Sequence, residues 1–479
     1  MSASINKTCL SNSNKINKYL LQFANEHVDF RHAEIKAISE LFGFTAKPLA
    51  EDKCSSSPGS PYLMVELNSE KEARNLMSRT VLIKSLYEVW GHGATYKEVA
   101  QQVETIPAEI KKSGFSAEKT FRINVDTYNK KITQEDKIKI IESLPEDIFS
   151  FKGKVNLKNP DNTFGLLEYY GANKTEPPDK PFKIYFGRLI ADGQRDLIQQ
   201  FHLTKRHFIG NTSMDAGLSL IMSNLGQVKQ NSVVFDPFVG TGSLLVACAH
   251  HGGYVMGTDI DYLLLHAKAR PSRHNQKERL ADESIHSNLS QYGLGHHYLD
   301  ILVADSSKHK MWRCQPMYDA IITDPPYGIR EGAKRIGTEK DDCLVTDDVK
   351  NGHIPQRVEY QMADIFKDLL NFAARFLNMN GRVVFWFPVS RESYTEDNLP
   401  THPCLRLDSN CEQTLSTRIS RRLITMVKCK EFKDEDMGTA QIPVDHYDNK
   451  PFRDLYYKNS QSNTQTVEDT LKTTSLNDT

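Results

Sequence analysis

The sequence lacks a long apolar run and closely paired cysteines, and each absence excludes a class of protein. No segment approaches the ~20 apolar residues that a membrane-spanning helix requires, and the first twenty residues contain no continuous apolar stretch of the kind found in secretory signals. The eight cysteines include no C-x-x-C pair, which argues against a disulfide framework and a zinc ribbon. We therefore expect a cytoplasmic protein with reduced thiols.

Metal ligands are also scarce. Cys248, His250 and His251 are near neighbours, as are His296 and His297, but neither group has the ligand spacing of a zinc site. Neighbouring side chains in regular structure cannot all face one metal ion. We expect no metal site in this chain.

A net charge of −1 gives the protein no overall basic character. Proteins that bind nucleic-acid phosphates usually carry a basic excess or at least one basic face, so any such surface must be local. The candidate clusters are Lys130 with Lys131; Lys152, Lys154 and Lys158; and Arg418, Arg421 and Arg422. Each cluster, taken alone, is more simply interpreted as ordinary solvated surface.

The 479 residues are enough for two or three domains. Residues 1–15 and 457–479 are polar and are predicted to be flexible tails. The pattern changes near residues 192–204, where we predict the main domain boundary. Before it, short strands and helices alternate, which predicts a ferredoxin-like module over 16–104 and a second α+β domain over 105–195.

Residues 196–456 alternate strands and helices as a doubly wound parallel sheet does. Short, apolar and β-rich runs occupy residues 232–235, 254–258, 301–304, 320–323 and 382–387. Such runs are typical of strands that are buried on both faces. A helix with one apolar stripe is predicted over residues 360–377, ended by Asn380 and Gly381, and the runs 405–411 and 422–428 predict an edge hairpin. The fold class is therefore α/β.

The strongest local motif is a glycine loop, Asp236-Pro237-Phe-Val-Gly240-Thr-Gly242, between a predicted strand and a predicted helix. Glycines in such a turn let the backbone approach a bound nucleoside, where a Cβ atom would collide. The ligand of such a fold lies at the carboxyl ends of the strands. We therefore predict that this loop contacts a nucleoside-bearing cofactor.

Two further carboxylates follow strands in the order that this kind of site requires. Asp259 ends the next strand, about 20 residues after the glycines, where a carboxylate receives ribose hydroxyls. Asp305 closes the third strand, where it can accept a hydrogen bond from an adenine amino group. An Asp at a strand end is often only a helix cap, and Asp261, two residues further on, either supports the cofactor contacts from behind or caps a helix. Three such signals in the correct order favour the binding site.

The motif Asp324-Pro325-Pro326-Tyr327 follows the fourth strand. Methylation of an amino group needs acceptors that hold its N–H groups while the nitrogen becomes pyramidal, and the Asp324 carboxylate and the Pro325 carbonyl can supply them. The two prolines stiffen the loop, and Tyr327 offers a flat face for an extruded base. A rigid turn is the plainer interpretation, but the cofactor loop upstream favours catalysis.

The segments DPFVGTG, GTDID, ADSS and DPPYGIR together resemble the motif series of class I S-adenosylmethionine-dependent amino-methyltransferases, over about residues 208–430. The resemblance extends further. YEVWGHG, FKGKVNLKNP, YFGRLIADGQR and KRHFIGNTSMDAGLSLIM are similar to segments of the catalytic subunits of the eukaryotic tRNA (guanosine-10-N2)-methyltransferases. The similarity to that family runs nearly end to end.

The resemblance implies a Rossmann-like methyltransferase domain over 196–456, preceded by ferredoxin-like and THUMP RNA-binding domains. It implies S-adenosyl-L-methionine as cofactor, tRNA as substrate and a small zinc-binding activator subunit as partner. By position, the family's site residues correspond to Asp236, Pro237, Gly240, Gly242, Asp259 and Asp305 for the cofactor, Thr212 and Asp215 for the segment that covers it, and Asp324, Pro325, Pro326 and Tyr327 for catalysis. Thr212-x-x-Asp215 also has the form of a capping box for a helix through Leu225.

Three matters stay open. The acceptor can instead be adenine N6 in DNA or a guanine in ribosomal RNA, although an N-terminal α+β half favours structured RNA over DNA. A catalytically silent RNA-binding scaffold is the alternative from a different class. The segment 329–355 lacks periodicity and is either a lid beside the site or disordered, with Arg330, Lys334 and Arg335 as candidates for phosphate contact.

Overall fold

The computed structural model describes residues 17–49, 59–173, 175–273, 276–313, 315–327, 333–337 and 356–443. Two compact units fall within Met1–Arg31 with Ile38–Arg195, and within His32–Ala37 with Asp196–Thr479. The predicted tails, Arg330 and most of the segment 329–355 lie outside the described residues. Across the described ranges, no helix is long and apolar enough to cross a membrane.

The first unit is built on one seven-stranded sheet of order β2-β3-β1-β4-β7-β6-β5. Its strands are β1 (Lys18–Phe23), β2 (Lys47–Pro48), β3 (Tyr62–Glu66), β4 (Ile83–Gly93), β5 (Phe121–Tyr128), β6 (Asn162–Tyr169) and β7 (Lys183–Asp192). The helices before Arg195 are α1 (Arg31–Leu41), α2 (Glu70–Met77), α3 (Tyr96–Thr105), α4 (Ala108–Gly114) and α5 (Gln134–Glu142). Strands from both predicted N-terminal domains thus share a sheet, and their separation near residue 105 stays a prediction.

The second unit contains a seven-stranded sheet of order β10-β9-β8-β11-β14-β16-β15, and β12 pairs with β13 in a separate ribbon. The strands are β8 (Val233–Asp236), β9 (Tyr254–Asp259), β10 (Tyr298–Val303), β11 (Tyr318–Thr323), β12 (Lys334–Ile336), β13 (Arg357–Glu359), β14 (Leu377–Ser390), β15 (Leu405–Thr414) and β16 (Ile419–Lys428). The helices are α6 (Asp196–Gln200), α7 (Ala216–Leu225), α8 (Ser243–His250), α9 (Tyr262–Leu265), α10 (Ile285–Gln291) and α11 (Met362–Phe376).

The pairing within this sheet confirms the predicted α/β class. Strands β10, β9, β8, β11 and β14 run parallel, whereas β16 pairs antiparallel with β14, and β15 pairs antiparallel with β16. The predicted edge hairpin is therefore present. Strands β8 and β11 are almost wholly buried, as expected where helices cover both faces of a parallel sheet. The edge strand β10 has no buried residue, so the prediction of burial on both faces is wrong for the run 301–304.

Helix α11 packs its apolar stripe on the sheet, where Phe366, Leu370 and Phe376 join Phe235 and Phe385 in one buried cluster. Burying each such side chain contributes on the order of 1.5–3 kcal/mol. The helix predicted over 360–377 ends at Phe376, one residue before the predicted end, and Asn380, the residue expected to stop it, has a left-handed φ of 64° before the strand residues that begin at Arg382 pair with β11. Leu377 is fully buried in the same cluster, although it belongs to β14 and not to the helix.

Candidate functional site

The carboxyl ends of β8, β9 and β11 open onto a cavity of about 720 Å³, which we call the acidic cavity. The turns that follow parallel strands meet at one edge of the sheet, where α/β folds bind their ligands. Eleven of the twelve residues predicted from the sequence line the cavity: Thr212, Asp215, Asp236, Pro237, Gly240, Asp259, Asp305, Asp324, Pro325, Pro326 and Tyr327. The fold therefore brings together residues that are scattered along the chain.

The remaining predicted residue, Gly242, does not line the cavity. The two glycines of the loop have different structural roles. Both have left-handed backbones, with φ of 50° at Gly240 and 73° at Gly242. A Cβ atom on Gly240 would meet nothing within 4 Å, whereas one on Gly242 would lie 2.6 Å from Cγ2 of Ile285. Gly240 thus leaves open space at the cavity wall, and Gly242 permits close packing at the start of α8.

The carboxylates of Asp236 and Asp259 accept hydrogen bonds that fix the glycine loop. Asp236 is buried, and its Oδ1 accepts hydrogen bonds from Oγ1 of Thr323 at 2.6 Å and from the N–H of Phe238 at 3.0 Å. Asp259 accepts from the N–H of Gly240 and from that of Asp261, both at 2.9 Å. Burial raises the pKa of Asp236 to about 7 and also raises the pKa of Asp259.

Asp305 is buried at the cavity and accepts a hydrogen bond from the segment 329–355, which is predicted to be irregular. Its Oδ1 accepts from the N–H of Ser307 at 2.9 Å, and its Oδ2 accepts from the N–H of Ile336 at 2.6 Å. Ile336 belongs to β12, so the prediction of irregular structure is wrong for Lys334–Ile336. Lys334 lines the cavity, whereas Arg335 forms an ion pair with Asp364 at 3.6 Å.

Two predicted caps have clear outcomes. Asp215 caps α7 by itself, with Oδ1 accepting from the N–H groups of Gly217 at 2.8 Å and Leu218 at 3.1 Å. The predicted capping box that begins at Thr212 is therefore wrong, because the helix begins only at Ala216. Asp261 caps α9, which confirms the prediction of a helix cap there.

The loop Asp324 to Tyr327 presents a carboxylate of unusual environment. The Oδ1 atom of Asp324 is buried and has no hydrogen-bond partner among the residues that the structure describes. Its Oδ2 lies 3.5 Å from Nη1 of Arg421. Burial raises the pKa of Asp324 to about 6, and the Arg421 guanidinium acts in the opposite direction. Buried polar atoms are normally paired, so this oxygen is ready to accept a ligand N–H.

Arg421 is a cavity residue that the sequence did not identify as one. The sequence places it in a cluster with Arg418 and Arg422 that is more simply interpreted as surface, but its side chain is only 11% exposed and lines the acidic cavity. Arg422 is equally buried, whereas Arg418 is 55% exposed, so the surface interpretation is wrong for two of the three. Successive side chains on a strand point to opposite faces of the sheet. This alternation predicts that Arg421 and Arg422 lie on different faces, so only one of them can reach the cavity.

The arrangement defines the chemistry of the ligand. Six Asp residues line the cavity, and four of them, Asp236, Asp259, Asp305 and Asp324, lie at or just after the ends of strands; Arg and Lys side chains, among them Lys334 and Arg421, line it as well. The carboxylates are hydrogen-bond acceptors, so the site complements a ligand with several hydroxyl or amino donors. Among the described residues, no group of three or more His, Cys, Asp or Glu side chains is placed to hold a metal ion.

Two family models match consecutive parts of the chain. The Tmrp11 THUMP N-terminal domain matches residues 17–195, and the RMKL-like methyltransferase domain matches residues 204–340. The chain is 48% identical over 451 residues to tRNA (guanine(10)-N(2))-methyltransferase TRMT11 of Homo sapiens, covering 92% of this chain and 95% of that protein.

More distant similarity reaches other organisms. The chain is 34% identical over 435 residues to the TRMT11 protein of Dictyostelium discoideum, covering 87% of this chain and 83% of that one. Among solved structures, TrmN from Thermus thermophilus aligns with a TM-score of 0.41 at 15% identity, over 86% of this chain and 99% of the other.

Proposed function

Because this chain belongs to the tRNA (guanine(10)-N(2))-methyltransferase family, we propose that the acidic cavity is the site at which it methylates tRNA. The enzyme transfers a methyl group from S-adenosyl-L-methionine to N2 of a tRNA guanosine, at position 10. One observation supports this cavity as the active site. Asp324, whose buried Oδ1 has no hydrogen-bond partner among the described residues, lies in the same cavity as the glycine loop.

The residues of the cavity fit the cofactor. S-adenosyl-L-methionine is a cationic nucleoside with ribose hydroxyls and two amino groups, and it supplies an electrophilic methyl group when bound. The carboxylates of Asp236, Asp259, Asp305 and Asp324 match those hydroxyl and amino donors, and the open space at Gly240 admits a close approach to the backbone. We assign Asp259 to the ribose and Asp305 to the adenine, with Asp236, Pro237, Gly240, Thr212 and Asp215 as further contacts.

The loop Asp324 to Tyr327 prepares the acceptor nitrogen. The free Oδ1 of Asp324 and the carbonyl of Pro325 accept the two N–H groups of the guanine amino group, which favours a pyramidal nitrogen. Pro326 stiffens the loop, and the ring of Tyr327 stacks on the base. When the methyl group is transferred, one proton leaves N2, and the raised pKa of Asp324 lets this carboxylate receive it.

The N-terminal part of the chain presents the substrate. We assign residues 16–104 to a ferredoxin-like domain, 105–195 to the THUMP domain that binds tRNA, and 196–456 to the methyltransferase domain, with flexible tails at 1–15 and 457–479. Family matches that change over between residues 195 and 204 support the main boundary. We also place the enzyme in the cytoplasm.

A small zinc-binding activator subunit is the proposed partner, and the edge of the second sheet is the surface that suits it. Strand β10 is the terminal strand of that sheet. It exposes Leu299 by 48%, Leu302 by 37% and Val303 by 44%. An edge strand with exposed apolar side chains favours pairing with another chain.

The function is tested with the chain co-expressed with this subunit, incubated with labelled S-adenosyl-L-methionine and unmodified tRNA transcripts. Nucleosides are then identified by mass spectrometry. We expect 2-methylguanosine, absent when guanosine 10 is replaced. Cofactor binding without this product would favour another RNA substrate or a catalytically silent scaffold.

A further inference from the structure

Arg421 is held on several sides before it reaches the acidic cavity. Its guanidinium lies over the ring of Trp386 on β14, 3.9 Å from the ring centroid. Its Nε donates a hydrogen bond of 2.7 Å to Oε1 of Gln413 on β15. The side chain therefore extends from β16 in one fixed direction, supported by both neighbouring strands.

The free end of this guanidinium contacts both ends of the Asp324 to Tyr327 loop. Its Nη1 donates a hydrogen bond of 3.1 Å to the hydroxyl of Tyr327 and lies 3.5 Å from Oδ2 of Asp324. A planar guanidinium has several donors in a rigid fork, so it can hold two partners in one geometry. The loop is thus tied to the antiparallel end of the sheet.

The charge near Asp324 makes this contact important. The negative charge of Asp324 contributes to the raised pKa of Asp236 on β8, so the two carboxylates interact electrostatically. Within the part of the chain that the structure describes, Arg421 on β16 is the cation whose charge acts on Asp324. Without Arg421, burial acts alone on the Asp324 carboxylate, and burial favours the protonated form.

We propose that Arg421 is a positioning residue for methyl transfer, which keeps the Asp324 carboxylate ionised and fixes the Tyr327 ring through its hydroxyl. The inference rests on the proposed function, since both residues that it positions are assigned to the acceptor base. Arg421 acts through them rather than on the base.

The test compares Arg421→Met and Arg421→Lys with the control Arg422→Met, in the full chain with its activator subunit. Arg422 is the next residue on β16 and is equally buried, but its Nε donates to Asn410 and its guanidinium lies over Tyr394. The same substitution at the two positions therefore removes similar packing from opposite faces of one strand. The readouts are kcat, KM for tRNA, the pH profile of kcat/KM, and the Kd of S-adenosyl-L-methionine by calorimetry.

We expect Arg421→Met to lower kcat by at least about tenfold, since misplaced catalytic groups cost on the order of 10²-fold. The acid limb of its pH profile moves to higher pH, because the pKa of Asp324 rises when the cation is removed. Cofactor affinity changes less than about twofold. Arg421→Lys retains the charge without the fork, so its acid limb stays close to that of the wild type while kcat remains reduced.

The outcomes separate the inference from the function. A wild-type enzyme that forms no 2-methylguanosine overturns the proposed function, and the inference with it. An active wild type with an unchanged kcat and acid limb in Arg421→Met, or with losses equal to those of Arg422→Met, overturns the inference alone. If thermal melting shows that Arg421→Met does not fold, the test rests on Arg421→Lys. A wild-type kcat in this variant, with the acid limb of its kcat/KM profile unshifted, then contradicts the positioning role.

Discussion

The main-chain N–H of Gly240 donates a hydrogen bond of 2.9 Å to Oδ2 of Asp259, so the loop after β8 and the carboxylate after β9 are directly joined. The other oxygen of Asp259 accepts from the N–H of Asp261 at 2.9 Å. Hydrogen bonds to an ionised carboxylate are roughly twice as strong as neutral ones. The glycine loop and the proposed ribose site therefore depend on each other for their conformation.

Replacement of Asp259 tests this coupling. Asp259→Ala removes both hydrogen bonds and the proposed ribose contact, and a hydrogen bond to a charged group contributes about 1.5–3 kcal/mol. We expect the Kd of S-adenosyl-L-methionine, measured by calorimetry, to rise at least about tenfold, with KM for tRNA unchanged. Asp397→Ala is the control, because Asp397 is exposed and does not line the acidic cavity. An unchanged Kd in a folded Asp259→Ala variant would remove the assignment.

The role of Asp324 separates binding from turnover. Asp324→Ala is expected to lower kcat by about 10²- to 10⁴-fold, the usual range for a positioned acid or base, while the Kd of the cofactor stays within about twofold. The exposed Asp397, which does not line the acidic cavity, provides the control Asp397→Ala. Normal turnover by Asp324→Ala would refute the assigned role.

The two glycines of the loop predict opposite effects of one substitution. Gly242→Ala combines a left-handed backbone with a Cβ atom 2.6 Å from Ile285, so we expect a loss of about 2–4 kcal/mol in the free energy of unfolding. Gly240→Ala costs about 1–2 kcal/mol for its backbone alone, but it weakens cofactor binding. Urea unfolding and calorimetry measure the two effects. The reverse order of effects would contradict these roles.

The pH dependence of activity follows from the raised carboxylate pKa values. Burial raises the pKa of Asp324 to about 6 and that of Asp236 to about 7, both above the ordinary value for Asp. As pH falls through these values, each carboxylate gains a proton and loses an acceptor, so kcat/KM decreases on the acid side. A profile from pH 5 to 9 should show this limb, and Asp236→Asn should remove the titration nearer to 7. A flat profile down to pH 5 would exclude both groups.

The proposed partner surface on β10 is tested by introducing a charged side chain into it. Leu302→Asp places a carboxylate among the exposed apolar residues of the edge strand, so we expect loss of co-purification with the zinc-binding subunit. Leu280→Asp is the control, because Leu280 is 57% exposed outside this strand. Retention of the subunit by Leu302→Asp, with normal stoichiometry, would place the interface elsewhere.

Sequence reasoning predicted most of the acidic cavity, because its residues follow strands. The alternation of apolar strands and helices indicates a parallel sheet, and the carboxyl ends of such strands share one edge. Asp236, Asp259, Asp305 and Asp324 were found in this way, and all four line the cavity. Local patterns were weaker at element ends. The capping residue of α7, for example, is Asp215 and not Thr212.

The sequence by itself determined the family, the fold class and the order of the carboxylates, since these depend on motifs and on periodicity along the chain. Only the tertiary structure decided which side chains meet across it. Arg421 reaches Tyr327 from 94 residues away because β16 joins the sheet beside β14, and Gly242 meets Ile285 because α10 packs near the loop. Such contacts arise from strand register and core packing, which place residues together without leaving a local pattern in the sequence.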